Sequence, residues 1–143
     1  MAGFRLVQDG NEATGTEQWL ISSLALHEGD LVELDAGATA ATAGDSSTVA
    51  WQRKGISMEE TTISSTTVKV TPINEDQIWE ATSNANSSRG HNNDRMVMTG
   101  TWQVNNSGTD SVSGICIQLG PVGAAADKRI LVKFLNATGG TSL

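Results

Sequence analysis

The sequence is short of the features that membrane-spanning, disulfide-stapled and nucleic-acid-binding chains depend on. A single cysteine in 143 residues, Cys116, closes no internal disulfide, so the fold is expected to stand without oxidising conditions. Cys116 lies between Ile115 and Ile117 in an apolar run, where a buried, inert thiol is expected. No apolar run approaches the ~18 residues that a membrane-crossing helix takes. The opening Met1-Ala2-Gly3-Phe4-Arg5 has no basic stretch followed by an apolar one, so no signal peptide is expected and synthesis in the cytoplasm is. Basic residues are few as well: nine Lys and Arg against sixteen Asp and Glu leave a net charge of -7. The pairs Arg53-Lys54 and Lys128-Arg129 read as solvated turns and make no basic stripe, so no nucleic-acid partner is expected.

Catalytic machinery is equally sparse. The two histidines, His27 and His91, lack a second His or Cys at metal-ligand spacing. There is no Gly-x-Ser-x-Gly elbow and no phosphate-cradling glycine loop ending in Lys. Glu28, Asp30, Glu33 and Asp35 are the candidates for a carboxylate pair of the kind a small glycoside hydrolase uses, but they lie in or beside turns, where carboxylates are ordinarily solvated. The expectation is a protein that is not an enzyme, with no catalytic residue, no metal and no cofactor.

What the chain does have is 15 Gly among many Thr, Ser, Asn and Ala, a composition that suits short strands and turns better than long helices. Apolar residues recur with a period of two, the mark of half-buried strands. Phe4, Leu6 and Gln8 share one face of a short N-terminal strand, followed by a turn-rich polar link over residues 9–16. Residues 17–26 fit either a strand or a helical turn, and Leu31–Leu34 a strand after the turn Glu28-Gly29-Asp30. The Ala-, Thr- and Gly-rich stretch 37–47 is expected as a surface loop.

Further strands are expected within 49–58 and 61–73, the latter ended by Pro72, and at 78–81, before a long polar loop over 82–94. The last third gives strands at 95–98, 101–104, 114–119 (stopped by Gly120-Pro121) and 128–135, this last one central in the core. Together these predict an all-β chain: an N-terminal arm and linker over 1–16, then a single small β-barrel or β-tulip/sandwich domain over 17–143, with long polar loops.

Aromatic residues make up 4% of the chain, with no Tyr, two Phe and four Trp. Trp19, Trp51, Trp79 and Trp102 each have apolar neighbours, which favours the core or a subunit interface. The residues expected to touch a partner are Phe4, Arg5, Leu6 and Val7 of the arm, together with Trp19. The arm either adds a strand to a neighbour's sheet edge or completes its own barrel. A carbohydrate- or receptor-binding β-sandwich, with Trp side chains in an exposed groove, is the alternative from another class.

The segment Thr71-Pro72-Ile73-Asn74-Glu75-Asp76-Gln77-Ile78-Trp79-Glu80-Ala81, the opening Glu28-Gly29-Asp30-Leu31-Val32-Glu33-Leu34-Asp35-Ala36-Gly37 and the closing Arg129-Ile130-Leu131-Val132-Lys133-Phe134 resemble tailed-phage capsid decoration (cement, head-stabilising) proteins. The resemblance spans roughly residues 28–135. The Ser- and Asn-rich stretch 82–94 is longer than that family's pattern. The resemblance implies a β-barrel or β-tulip protein that binds the outer surface of an assembled phage head, often as a trimer at threefold positions. Its partner would be the major capsid protein, whose subunits it would bridge to stabilise the head, and its location would be the virion exterior.

Overall fold

The computed structural model describes residues 3–9, 15–35, 37–50, 52–107 and 114–135. In chain order the strands are β1 (Arg5–Gln8), β2 (Glu17–Leu20), β3 (Leu31–Leu34), β4 (Thr42–Ala43), β5 (Arg53–Ser57) and β6 (Thr67–Pro72). They continue with β7 (Ile78–Ser83), β8 (Arg95–Met96), β9 (Met98–Thr99), β10 (Gln103–Val104), β11 (Cys116–Val122) and β12 (Arg129–Phe134). Two 3-10 turns, Arg89–His91 and Ala125–Asp127, are the helical pieces among the described residues. The protein is nearly all-β, as the composition predicts.

The strands divide into two sheets. The first is nearly closed and barrel-like, in the order β8-β11-β12-β7-β10-β9, with β1 added on β7. The second is a curled half-barrel in the order β2-β6-β5-β3-β4. Alternation along each strand decides what goes inside. In β12, Ile130, Val132 and Phe134 are buried while Leu131 and Lys133 stay half-covered, and the strand runs between β11 and β7 in mid-sheet as expected. In β6, Val68 and Val70 turn inward while Thr67 and Lys69 face water.

There are accordingly two cores. The first fills the barrel with residues such as Phe4, Trp79, Met98, Ile115, Val132 and Phe134, and it also takes Leu31 and Ile56 from the second sheet. The second lies in the curl of the second sheet and contains Trp19, Ile21, Leu26, Val32, Val68 and Val70. Strand β3 is therefore a wall between them: Leu31 belongs to one core and Val32, its neighbour, to the other, both fully buried. Across from it Gly55 leaves room for the Trp19 ring. A Cβ there would come within 3.1 Å of Val70 and 3.2 Å of Trp19.

Several sequence expectations are corrected. Gly120-Pro121 does not stop a strand: β11 runs through both to Val122, with an irregularity between Gln118 and Gly120 that absorbs the break in pairing. The stretch 37–47 is not all surface loop, because Ala41 is buried in the second core and Thr42–Ala43 pair with β3. Residues 17–26 resolve into the strand Glu17–Leu20 followed by non-helical chain. Asp30 and Glu33, expected in water, are 5% and 8% exposed, because β3 is covered on both faces. Lys54 is 4% exposed and not in a solvated turn, because it shares a strand face with Ile56. Gln8 does not share the Phe4 face: the β1–β7 register shifts between Leu6 and Gln8, and Gln8 is exposed.

Candidate contact surface at the N-terminal strand

Strand β1 lies antiparallel on β7 of its own chain, with Arg5 opposite Glu80 and Leu6 opposite Trp79. On the same edge of β7 the parallel strand β10 follows directly, pairing Gln103 with Thr82. The structure thus takes the second of the two roles open to this segment and completes its own sheet. Phe4 is inside the barrel, 2% exposed, with its ring tilted against Phe134 at 5.3 Å between centroids. Gly3 allows the chain to enter there. It adopts φ +85°, and a Cβ on it would lie 2.6 Å from the Gly29 carbonyl oxygen. The Phe4 N–H donates to that same oxygen at 2.9 Å.

Polar groups fasten the strand from outside. Glu80 receives Arg5 Nη2 on one carboxylate oxygen at 2.7 Å and Arg129 Nε on the other at 2.8 Å. Arg129 also donates to the Gly3 carbonyl at 3.3 Å and to the Thr82 hydroxyl. Partial burial pulls the Glu80 carboxyl upward, but the hydrogen bonds and charges of Arg129 and Arg5 outweigh it and hold the group below its ordinary value.

The five residues expected to form the contact therefore separate. Phe4 is interior, Leu6 is half-covered against the first core, and Arg5, Val7 and Gln8 face solvent, with Val7 49% exposed. Trp19 is not brought to this surface. It sits in the second core, its indole N–H donating to Glu17 Oε1 at 2.9 Å while the Arg53 guanidinium stacks 5.3 Å from its ring centroid. Of the other tryptophans, Trp79 is buried, Trp102 is exposed at the β9–β10 turn, and Trp51 lies outside the described residues. Trp19 and Trp79 are consequently not available as parts of a stacking platform.

Beside β1 the seam between the two sheets opens into a groove of about 190 Å³, lined by Phe4, Arg5, Leu6, Glu28, Ile56 and Met58 among others. A larger, shallower depression of about 360 Å³ lies at the barrel rim between Glu75, Asp76, Lys133 and Leu135.

Sequence reasoning missed Gln77, which organises this region. It is fully buried. Its Oε1 accepts from the Asn74 N–H at 2.9 Å and the Trp79 indole at 3.1 Å. Its Nε2 donates to the Pro72 carbonyl at 3.2 Å and to Asp9 at 3.3 Å. One side chain thereby ties the β6–β7 turn, the barrel wall and the end of the N-terminal segment. Its place between an acidic turn and Ile78-Trp79 is the only sequence signal. The other miss, Lys54, was legible as the residue two before Ile56 on a strand.

Among the described residues no group of three or more His, Cys, Asp or Glu side chains is placed to hold a metal ion, and no helix is long and apolar enough to cross a membrane. The Cys116 thiol is fully buried, and burial pushes it up to about 12. No protein-family model matches the chain, and a search of curated proteins finds no significant match.

Proposed function

We propose that this chain is a non-enzymatic structural protein that binds the outer surface of an assembled phage head and bridges major capsid subunits, acting as a trimer on the virion exterior. The observation that carries this reading is the part played by the segment with the resemblance. Residues 71–81 form the end of β6, the turn built on Gln77 and the start of β7, which join the half-barrel to the barrel and seat the N-terminal strand. The nearly closed β-sheet is the kind of body the resemblance implies. The face offered to a partner is the outer side of β1, with Arg5, Val7 and Gln8, and the adjoining groove with Met58 on its rim. Backbone edges and half-apolar grooves of this sort suit an extended segment of another chain. A chain of net charge -7 further suits a basic partner surface.

The test is sucrose-gradient sedimentation of a lysate of the producing cells, with the protein quantified in each fraction by mass spectrometry. Co-sedimentation with particles, at a copy number comparable with a major shell protein, is the expected result. Recovery only among slowly sedimenting soluble proteins overturns the reading. Val7→Asp, which leaves Phe4 in place, should reduce particle association while the purified protein stays folded.

A further inference from the structure

The groove at the seam of the two sheets has unlike banks. One bank is β1. Its Phe4 N–H is bonded across the seam to Gly29, and beyond that point Arg5–Gln8 make no backbone bond except to β7 among the described residues. The charge of Arg5 on this bank is met by Glu80 at 2.7 Å. The other bank carries Glu28 and Met58, both exposed, and the chain goes on from Met58 into exposed Glu59 and Glu60. Against these carboxylates that bank sets exposed Lys69, whose carbonyl accepts from the Met58 N–H at 2.9 Å. Glu59 Oε2 accepts from the Lys69 N–H at 3.0 Å, while the Glu28 side chain has no hydrogen bond or ion pair among the described residues. The floor between the banks is apolar, with Leu6, Ile56 and Trp79.

We propose that this groove takes one apolar side chain of an extended segment from another protein, with a lysine or arginine of the same segment turned to Glu28. The inference rests on the reading that this face meets a partner, and it adds the chemistry of the partner's segment. At about 190 Å³ the groove is smaller than the roughly 300 Å³ at which small-molecule sites begin, so it matches a side chain and not a free ligand. An unpaired carboxylate beside an apolar floor complements a basic group set next to an apolar one. The charges also fix the orientation. A cation turned toward β1 would meet Arg5, and an acidic segment would set its charge against Glu28, Glu59 and Glu60. The unbonded backbone groups along β1 suit the main chain of an extended segment lying beside them.

The test is an NMR titration of the isotope-labelled full chain, at low salt, with three short blocked peptides. One alternates valine with lysine, the second has glutamate for lysine, and the third has serine for valine. The valine–lysine peptide should move the amide signals of Leu6, Gly29, Ile56 and Met58. It should bind about tenfold more tightly than the glutamate peptide, and the gap should shrink as salt is added. The serine–lysine peptide should bind far more weakly than the valine–lysine one. Glu28→Lys, at an exposed turn, should invert the preference between lysine and glutamate. Absence of binding, equal affinity for the lysine and glutamate peptides, serine–lysine binding as tight as valine–lysine, or shifts away from the groove each overturn the proposal. So does concentration-dependent movement of the same signals without peptide, which would mark a second copy of this chain in the groove. Failure here with continued sedimentation among particles would remove the groove and leave the head-binding reading standing. Selective binding by a protein found only among soluble proteins would do the reverse.

Discussion

Phe4 and Phe134, near opposite ends of the described chain, meet inside the barrel with ring centroids 5.3 Å apart. Trp79 meets the same Phe134 ring edge-on, with centroids 6.4 Å apart. The N-terminal strand thus contributes a core residue to the barrel as well as a strand to its sheet.

Phe4→Ala should destabilise the protein by about 3 kcal/mol, through lost burial and the cavity left against Phe134 and Trp79. Denaturant unfolding followed by Trp fluorescence checks it. Little change in midpoint would mean that the strand is not seated as described. Deleting residues 1–8 carries the same penalty, so weakened particle binding by that truncation would not separate folding from contact.

Gln77→Leu should cost about 2–4 kcal/mol, because the Trp79 indole N–H, the Asn74 N–H and the Pro72 carbonyl would each lose a buried partner. Thermal unfolding of this variant beside a surface control such as Glu75→Gln measures it.

The pH dependence at Glu80 follows from its lowered value. Its contribution to stability is fully present above the ordinary carboxylate range and is lost as pH falls through the folded-state value. Glu80→Gln should therefore be less stable than the native chain at neutral pH, and the gap should close on acidification. Unfolding midpoints at several acid pH values read this out. A gap that is constant with pH would show that the Arg5–Glu80–Arg129 contacts contribute no charge-dependent stability.

Lys54 is shifted downward as well, by burial and not by charged partners, and its slope has the same sign in a more alkaline interval. Its folded-state value of about 8 lies below its ordinary one, so across the interval from about 8 to the ordinary lysine range the unfolded chain holds the extra proton. Native stability relative to Lys54→Met should rise with pH over that interval. A flat difference between the two proteins would mean that Lys54 is hydrated in solution.

Much of the fold was legible because alternation is a local signal. Val68-x-Val70 and Ile130-x-Val132-x-Phe134 announce which face is buried whatever the partner strands turn out to be. The misplaced residues are those whose surroundings are set by distant chain. Asp30 and Glu33 look solvated beside a glycine turn, and only the covering of β3 from both sides buries them. Phe4 reads as arm or barrel equally well until Gly29 and Phe134 supply its seat. Trp19 was grouped with the arm for its aromatic character, yet its sheet curls it into a separate core. For the function, the residues carry a resemblance alone, because binding is decided jointly by two surfaces and a sequence spells out one.

The wall position of β3 has a consequence for how the gene can vary. A one-residue slip turns every side chain of a strand to the opposite face, so a strand buried on one side already resists it and a strand buried on both sides resists it twice over. In β3 a slip by one residue would exchange Leu31 with Val32 and Glu33 with Leu34 between two filled interiors, delivering a carboxylate into the company of Trp19 and Val68. Insertions and deletions of single codons should therefore be excluded from residues 31–34 more strictly than from β2, whose outward residues Gln18 and Leu20 meet only solvent.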